Sequence, residues 1–303
     1  TFNNKIKKSN KTVNWSSGLK NLLKKNKKIE MKREAIYQVL YRPFCIQNIL
    51  FIKDLIERPS IFPDLFQETK KNQSIAVTGI SGNKEFSVLM TNIIPEVQLI
   101  SNGVNFPLYI SGKDKGLFEG GSKNDYAISD FAIAYFNKIY NKKNITKEAL
   151  FFYIYGLLHS EEYRMKFKNN LTKELPRIPP VKKFEDFNNF SVKGKELSDL
   201  HINYEELEPY PIELEQGDLR LAVIDNPKQF FNVNKMKLDK KTSSIIYNSN
   251  ITIQNIPSEA FSYIINGQLA IEWIIERYQV TQNEATGIPN DPNEYANNVM
   301  KDP

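Results

Sequence analysis

Few side chains in this sequence combine the types and the spacing that catalysis requires. Asp64 is followed by Glu68 and Lys70, which superficially supply the two acids and the lysine of a metal-dependent nuclease. Three residues between the acids cannot place them on neighbouring strands that turn back on each other, so the spacing argues against that chemistry. The only histidines, His159 and His201, have no local nucleophile to orient, so a hydrolase triad is not indicated either.

Cofactor chemistry also lacks a motif. Gly112-Lys113-Asp114 has neither the glycine spacing nor the hydroxyl of a phosphate loop that binds ATP and Mg²⁺. The Asn-Pro-Pro-aromatic and Asp-Pro-Pro-aromatic tetrapeptides of adenine-N6 methyltransferases do not occur. The single cysteine, Cys45, allows neither an internal disulfide nor a cysteine-based zinc site. We therefore expect no catalytic residue, no metal and no cofactor in this chain.

The remaining chemistry is that of a binding surface. Asn and Gln can pair with adenine edges, Arg and Lys with guanine, and lysine point charges suit phosphates. The candidates for base contact lie in two loops, residues 68–84 and 111–125. They are Lys70, Lys71, Asn72, Gln73, Ser81, Asn83, Lys84, Lys113, Lys115, Lys123 and Asn124. One further cluster supplies the same residue type: Lys235, Lys237, Lys240 and Lys241.

Positive charge is concentrated at the start of the chain. Residues 1–42 carry twelve Lys and Arg against two Glu, a net of +10, whereas the whole chain is +6, so the rest sums to −4. Such a segment is either a solvated linker or an arm that follows phosphates and releases a counterion at each contact. The candidate phosphate contacts are Lys20, Lys24, Lys25, Lys27, Lys28 and Arg42. Arg42 has an alternative role, since it could pair with a carboxylate and hold the fold.

Length and composition limit the class of protein. A chain of 303 residues with 41% hydrophobic residues can bury a sizeable core in one large domain or two lobes. It has no uncharged apolar run of about 18 residues, and its lysine-rich start has no signal-peptide core. We therefore expect a cytoplasmic protein without a membrane partner. A first residue other than Met is typical of a fragment or a processed product, which we expect to be monomeric.

Secondary-structure signals change along the chain. Short β-prone runs fill 36–110, helices dominate from Ser129 to about Leu200, and a short basic helix is expected from Ser17 to about Lys27. The second group of strands is expected at Leu219 to Ile224, Ser244 to Tyr247 and Ile251 to Gln254. After it, one helix capped by Ser258 should run through Trp273 to Tyr278, interrupted or kinked near Gly267, with Leu269, Ala270 and Ile274 on the face of Trp273. The tail from Thr281 should be irregular.

The segment 151–180, FFYIYGLLHSEEYRMKFKNNLTKELPRIPP, carries the most information. Ala149 to Leu158 is apolar almost all round, which is typical of a buried helix, and Thr146 stands where its N-cap should be. Ser160 should cap a second helix, which is amphipathic and ends before Pro176.

This segment resembles the C-terminal specificity region of the type ISP restriction-modification enzymes. Further motifs agree in order along the chain: NWSSGLKNLLKK at 14–25, YRPF at 41–44, ERP at 57–59, NFPLYI at 105–110, INGQLAIEWIIERYQV at 265–280 and GIPNDPNEY at 287–295. The resemblance implies that this chain is the last part of a large polypeptide. The other parts would be a nuclease, a translocase and an adenine-N6 methyltransferase, which would bind AdoMet, ATP and Mg²⁺ outside this chain.

Together, the residues and the resemblance predict an α+β target recognition domain. It should have a β-rich first lobe at 35–128, a helical part with a central buried helical pair at 129–210, and a smaller β-plus-helix second lobe at 211–303, after a basic connector at 1–34. The expected function is to recognise a short duplex DNA sequence and to present the target adenine to the methyltransferase domain. The alternative is a scaffold segment that docks the methyltransferase or translocase domains and touches DNA only through phosphates.

Overall fold

The computed structural model describes residues 16–56, 66, 72–80, 82–110, 125–141, 143–282, 284, 287 and 289–301. Within them lie nine α-helices: α1 (Ser17–Lys24), α2 (Asp130–Ile139), α3 (Lys147–His159), α4 (Glu161–Lys166), α5 (Lys168–Leu171), α6 (Phe184–Ile202), α7 (Pro227–Phe230), α8 (Ala270–Arg277) and α9 (Pro292–Tyr295). The strands are β1 (Ile36–Arg42), β2 (Cys45–Leu50), β3 (Ser74–Val77), β4 (Val88–Thr91), β5 (Ile94–Pro95), β6 (Val104–Pro107), β7 (Tyr109–Ile110), β8 (Asp125–Tyr126), β9 (Glu213–Leu214), β10 (Lys237–Asp239), β11 (Ser244–Ile246), β12 (Thr252–Gln254), β13 (Ile264–Ile265), β14 (Gln268–Leu269), β15 (Thr281–Gln282) and β16 (Pro289–Asn290).

The first lobe contains two three-stranded sheets and one two-stranded sheet. β1 and β2 pair antiparallel, and β5 joins β1 in parallel. In the other sheet β3 lies between β4 and β6 and pairs antiparallel with both, while β7 pairs with β8. Short strands are therefore present over much of 36–110 as predicted, whereas Val97 to Ile100 forms a turn.

The β3–β4 sheet is buried on both faces. Because side chains alternate along a strand, Ile75 and Val77 face the helical core, whereas Ala76 faces a second cluster with Leu99 and Ile265. This sheet is thus the layer between the helices and the second lobe.

Helix α3 is the centre of the helical part. Thr146 caps it as predicted, since its Oγ1 accepts from the Ala149 amide at 3.0 Å, and the side chain of Ser160 caps α4. The main partner of α3 is α6 and not the helix that follows it. Gly156 and Gly194 make this crossing possible, because a Cβ on Gly194 would lie 2.0 Å from the Phe152 carbonyl oxygen.

The second lobe holds a four-stranded antiparallel sheet of order β10-β11-β12-β9 and the helix α8. Its core includes Ile245, Ile256 and Ile275. The predicted strands at 244–247 and 251–254 are confirmed. The strand predicted at Leu219 to Ile224 is wrong, because this segment is irregular and exposes 96% of Val223.

The helix predicted from Ser258 to Tyr278 is interrupted near Gly267, one of the two expected forms, but its first half is not α-helical. A 3₁₀ turn at Ser258–Phe261 is followed by the hairpin β13–β14, and only Ala270–Arg277 is α-helical. Asn266 and Gly267 form the hairpin turn with φ of 53° and 74°, the left-handed conformations that a two-residue Asn-Gly turn requires. Trp273 is buried as predicted, but Ile274 is 43% exposed, so the buried face of the helix differs from the expected one.

The C-terminal tail is more regular than expected. It forms the two-stranded sheet β15–β16, the short helix α9 and a π-helical turn at Ala296–Met300. No helix in the described part of the chain has the length and the apolarity needed to cross a membrane.

Candidate nucleic-acid interface

Residues 82–86, here called the 82–86 loop, lie between β3 and β4 and present three exposed polar side chains, Asn83, Lys84 and Glu85. Thr78 closes the base of the loop, since its Oγ1 accepts from the Ser87 amide at 2.8 Å. Asn83 is held from both of its groups: its backbone amide donates to Ser101 Oγ at 3.2 Å, and its Oδ1 accepts from the same hydroxyl at 2.8 Å. Asn83 and Lys84 nevertheless remain exposed. A loop fixed in this way can hold a reading side chain in one orientation.

The Asn266-Gly267 turn of the second lobe holds the same region from the other side. The Asn266 amide donates to Ser87 Oγ at 2.7 Å, and its side-chain Oδ1 accepts from the Ser101 amide at 3.0 Å. Asn266 is only 8% exposed, so these bonds are shielded from water. The turn therefore joins the second lobe to the two segments that orient Asn83.

A groove of about 480 Å³ opens next to this turn. Its lining is partly polar and partly apolar: Lys240, Ser243, Ser258, Phe261, Ile264, Gly267, Gln268, Leu269 and Glu272. The methylene chain of Lys84 lies over Gly267, where a Cβ would stand 3.2 Å from Lys84 Cδ. Lys240 Nζ is 2.8 Å from a Glu272 carboxylate oxygen, so the positive charge of this lysine is already paired. Lys84 is exposed as well and lies beside the groove, against Gly267.

The basic arm forms a helix in its described part. Ser16 caps α1 by accepting from the Leu19 amide at 3.2 Å. Lys20, Lys24, Lys25 and Lys28 are all exposed. Lys27 Nζ lies 2.7 Å from an Asp54 carboxylate oxygen, which fastens the end of the arm to the first lobe.

A buried polar junction connects the helices with the second lobe. Both ring nitrogens of His201 meet tyrosine hydroxyls, Nδ1 that of Tyr155 and Nε2 that of Tyr263 at 2.7 Å. Burial lowers the pKa of His201 to about 4 and that of His159 to about 3. Both rings are therefore neutral at pH 7, and His201 accepts from one tyrosine while it donates to the other.

The sequence matches a family model described as the Type ISP C-terminal specificity domain over residues 2–303. The chain belongs to this family. A nuclease-deletion mutant of the Type ISP restriction-modification enzyme LlaGI, solved in complex with a DNA substrate mimic, is similar at 31% identity and a TM-score of 0.74. The alignment covers 98% of this chain and 21% of that one.

Two further DNA complexes are similar to this specificity domain. The ATP-dependent Type ISP restriction-modification enzyme LlaBIII, bound to DNA, has 31% identity and a TM-score of 0.75, covering 94% of this chain and 18% of that one. A DrdV–DNA complex has 26% identity and a TM-score of 0.78, covering 95% and 28%. This chain thus spans about a fifth of the length of the Type ISP enzymes it matches. No curated protein sequence matches it.

The sequence-predicted base contacts fall into four groups in the specificity domain, and buried Asn72 forms the last of them. Asn83 and Lys84 are exposed on the 82–86 loop, as base contact requires. Gln73 is half-buried, and its Oε1 accepts from Ser198 on α6 at 3.3 Å, which gives it a role in packing. Seven further candidates lie outside the described residues: Lys70, Lys71, Ser81, Lys113, Lys115, Lys123 and Asn124.

Asn72 is a correction to the expected set. It is only 2% exposed, its Nδ2 donates to the Tyr109 carbonyl, and its Oδ1 accepts from the Tyr109 and Gln73 amides. The side chain serves the fold and presents nothing to a base edge. Residue type alone could not reveal this, because Asn suits both turns and base contacts.

Arg42 takes the structural role that the sequence left open. Its Nη1 lies 2.6 Å from Glu96 Oε2 and donates to the Tyr41 carbonyl, and its guanidinium stacks 4.1 Å from the Tyr41 ring centre. With its charge paired inside the first lobe, Arg42 is a weaker candidate for phosphate contact than the arm lysines.

Within the described ranges, no group of three His, Cys, Asp or Glu side chains could hold a metal ion. Arg164 on α4 was not among the sequence-predicted DNA contacts. The amphipathic pattern of this helix explained the neighbouring residues by packing alone. In the fold the Arg164 guanidinium lies 5.8 Å from the ring centre of Phe86, at the end of the 82–86 loop.

Proposed function

We propose that this domain recognises a short duplex DNA sequence for a restriction-modification polypeptide and presents the target adenine to a methyltransferase domain outside these residues. The observation that carries the proposal is the 31% identity, over 98% of the chain, to a Type ISP enzyme solved with a DNA substrate mimic. The exposed Asn83 and Lys84, on a loop fixed by both lobes, are of the residue types that read base edges. Such an enzyme would work on DNA in the cytoplasm.

Each part of the proposed surface has a distinct task. The exposed lysines of the arm contact phosphates and set the overall affinity, because lysine is a flexible point charge. The 82–86 loop contacts bases and sets the preference among sequences. The two tasks can be separated because the arm and the loop are different segments of the chain.

Selection from a pool of random-sequence duplexes tests this function directly. The purified chain should enrich one short sequence, and Asn83→Ala should lower the enrichment. Glu259→Ala, an exposed change on the 3₁₀ turn of the second lobe, is the matched control and should leave it unchanged. Retention of all sequences in equal amounts by the wild-type chain would reject target recognition.

Catalysis is assigned to the remaining polypeptide. The sequence lacks the methyltransferase tetrapeptide and the phosphate loop. AdoMet, ATP and Mg²⁺ would therefore bind elsewhere in the enzyme. The purified chain, given labelled AdoMet and duplex DNA, should transfer no label, and label in the DNA would overturn this assignment.

The scaffold alternative is favoured by one surface of helix α2. Phe131, Tyr135 and Ile139 recur every four residues and are 81%, 46% and 40% exposed, beside an apolar pocket of about 320 Å³. Large apolar side chains in one stripe mark an interaction site. The occupant that fits is another domain of the same polypeptide, because in the Type ISP relatives about four fifths of the chain lies outside the matched part.

The two functions predict different results for Phe131→Ser. If α2 docks the rest of the enzyme, the variant should lose methylation in the full-length protein while the isolated domain binds DNA as before. Equal methylation by variant and wild type would remove the docking surface. Loss of DNA binding by the isolated domain would instead place α2 in the DNA interface.

A further inference from the structure

Arg164 is a fixed cation without an anionic partner among the described residues. Its Nε donates to the Leu158 carbonyl at 2.7 Å, and its guanidinium packs against Phe86. Leu158 lies in the last turn of α3, whose carbonyls have no partner within the helix. This single bond fixes the plane of the guanidinium. It occupies Nε and leaves the two terminal nitrogens for another acceptor.

The surroundings of Arg164 do not compensate its charge. The groups that act on it electrostatically are the hydroxyls of Tyr155 and Tyr263, and no carboxylate is among them. His159 and His201 complete this neighbourhood, and the charge of Arg164 is one reason why the pKa of His159 is low. Partial burial also lowers the pKa of the guanidinium itself. An unpaired charge in such a place is costly unless an anion from outside completes it.

We propose that Arg164 binds a backbone phosphate of the DNA whose bases meet the 82–86 loop. The inference rests on the proposed function, which it extends by one residue and one ligand group. Phe86, against which Arg164 packs, is two residues beyond Lys84, so the guanidinium lies under the loop that carries the exposed side chains. A planar guanidinium with two terminal N–H₂ groups fits the two oxygens of a phosphate.

The recessed position of Arg164 favours contact with a phosphate over contact with a base. A side chain that reads bases must enter a major groove that is about 8.5 Å deep. Arg164 is partly buried and pinned to α3, so it cannot reach so far, whereas Asn83 and Lys84 are exposed on the loop. The phosphate contact would set the register in which those two residues meet the bases.

The experiment compares the salt dependence of duplex binding by the 303-residue chain and its variants, with a labelled random-sequence duplex as probe. Arg164→Gln should lower the slope of log K against log salt by about 0.9 and weaken all sequences alike, since one phosphate contact is lost. Arg164→Lys keeps the charge and should restore most of the slope. The matched control is Arg177→Gln, because Arg177 is exposed and already paired with Glu174 at 3.0 Å.

Two outcomes would overturn the proposal. An unchanged slope together with a lower melting temperature would show that Arg164 only caps α3. A loss confined to one base pair in singly substituted duplexes would show that it contacts a base. A wild-type chain that binds the random duplex without any sequence preference would reject the proposed function, yet the slope test of Arg164 would still be valid.

A measurement on the wild-type protein covers the case in which Arg164→Gln does not fold. Phenylglyoxal modifies accessible arginines, and mass spectrometry reads each site separately. The random duplex should protect Arg164 and leave Arg177 reactive. Equal modification of Arg164 with and without duplex would overturn the contact.

Discussion

The side-chain oxygen of Asn266 accepts a hydrogen bond from the backbone amide of Ser101 at 3.0 Å, across 165 residues of chain. Ser101 in turn holds Asn83 through its hydroxyl. A residue of the second lobe thus orients a candidate reading residue of the first lobe. The loop cannot change its position without disturbing the Asn266-Gly267 turn.

Asn266→Gly should therefore destabilise the domain by about 1–3 kcal/mol, because the Ser101 amide would lose its buried acceptor. Glycine tolerates the positive φ of 53° at this position, so the loss measures the side chain and not backbone strain. Urea denaturation gives the change in free energy of unfolding. The matched control is Asn255→Gly at another positive φ, 55°, where the side chain is exposed and a change below about 0.5 kcal/mol is expected. Equal effects of the two variants would contradict the role of Asn266.

Trp273→Ala should cost about 3–5 kcal/mol of stability, since a large buried side chain leaves a cavity. Trp273 is 8% exposed, and its Nε1 donates to the Ile265 carbonyl at 2.9 Å, which also ties α8 to the hairpin β13–β14. Ile274→Ala, one residue later and 43% exposed, should cost much less. Denaturation midpoints of the two variants that agree would contradict the assigned face of α8.

Local signals in the sequence predicted elements well where a cap or an apolar pattern was sufficient. Thr146, Ser160 and the strands of the first lobe belong to this group. The partner of α3 was missed, because the crossing with α6 depends on two glycines, Gly156 and Gly194, that are 38 positions apart in the sequence. A pattern within one helix cannot reveal which distant helix approaches it.

The candidate site was predicted in part for the same reason. Residue types alone selected Asn72 and Asn83 together, although Asn72 is buried and bonded to Tyr109 and Asn83 is exposed. Arg164 was missed, because its importance arises from the absence of a described carboxylate near it and from the proximity of Phe86. Both properties depend on the tertiary structure and cannot be read from the local sequence.

Acid should destabilise the domain through the buried histidines. The pKa of His159 is about 3 and that of His201 about 4 in the folded chain, below the ordinary value of 6.5. The unfolded chain therefore binds more protons, so their contribution to stability is complete above pH 6.5 and decreases as the pH falls towards about 4 and 3. His159→Phe removes one such group and should make the fall from pH 6.5 to 4 less steep, by up to about 1.4 kcal/mol per pH unit. Urea midpoints across this range would check it, and parallel profiles of variant and wild type would contradict it.

The lysines of the arm should contribute to DNA affinity without regard to sequence. Changing Lys20, Lys24, Lys25 and Lys28 to Ala should reduce the slope of log K against log salt by up to about 0.9 for each lysine that contacts a phosphate. Lys27 is left in place because its charge is paired with Asp54. The control changes Lys193 and Lys195 on α6, which are paired with Glu196 and Asp199, and should leave the slope unchanged. A slope that is the same in the arm variant and the wild type would make the arm a passive linker.

Asn83→Ala should change sequence preference, whereas Lys24→Ala should not. Asn83 is exposed on a loop fixed at Ser101 and, through it, at Asn266, so its side-chain amide can make a directional contact with one base. Losing that contact should reduce discrimination at a single base pair by about 1–3 kcal/mol. Lys24 is a flexible charge on the arm, so its loss should weaken all duplexes to the same extent. Competition with singly substituted duplexes in the full-length enzyme separates the two effects. A uniform loss of affinity in both variants would move sequence reading away from the 82–86 loop and favour the scaffold function.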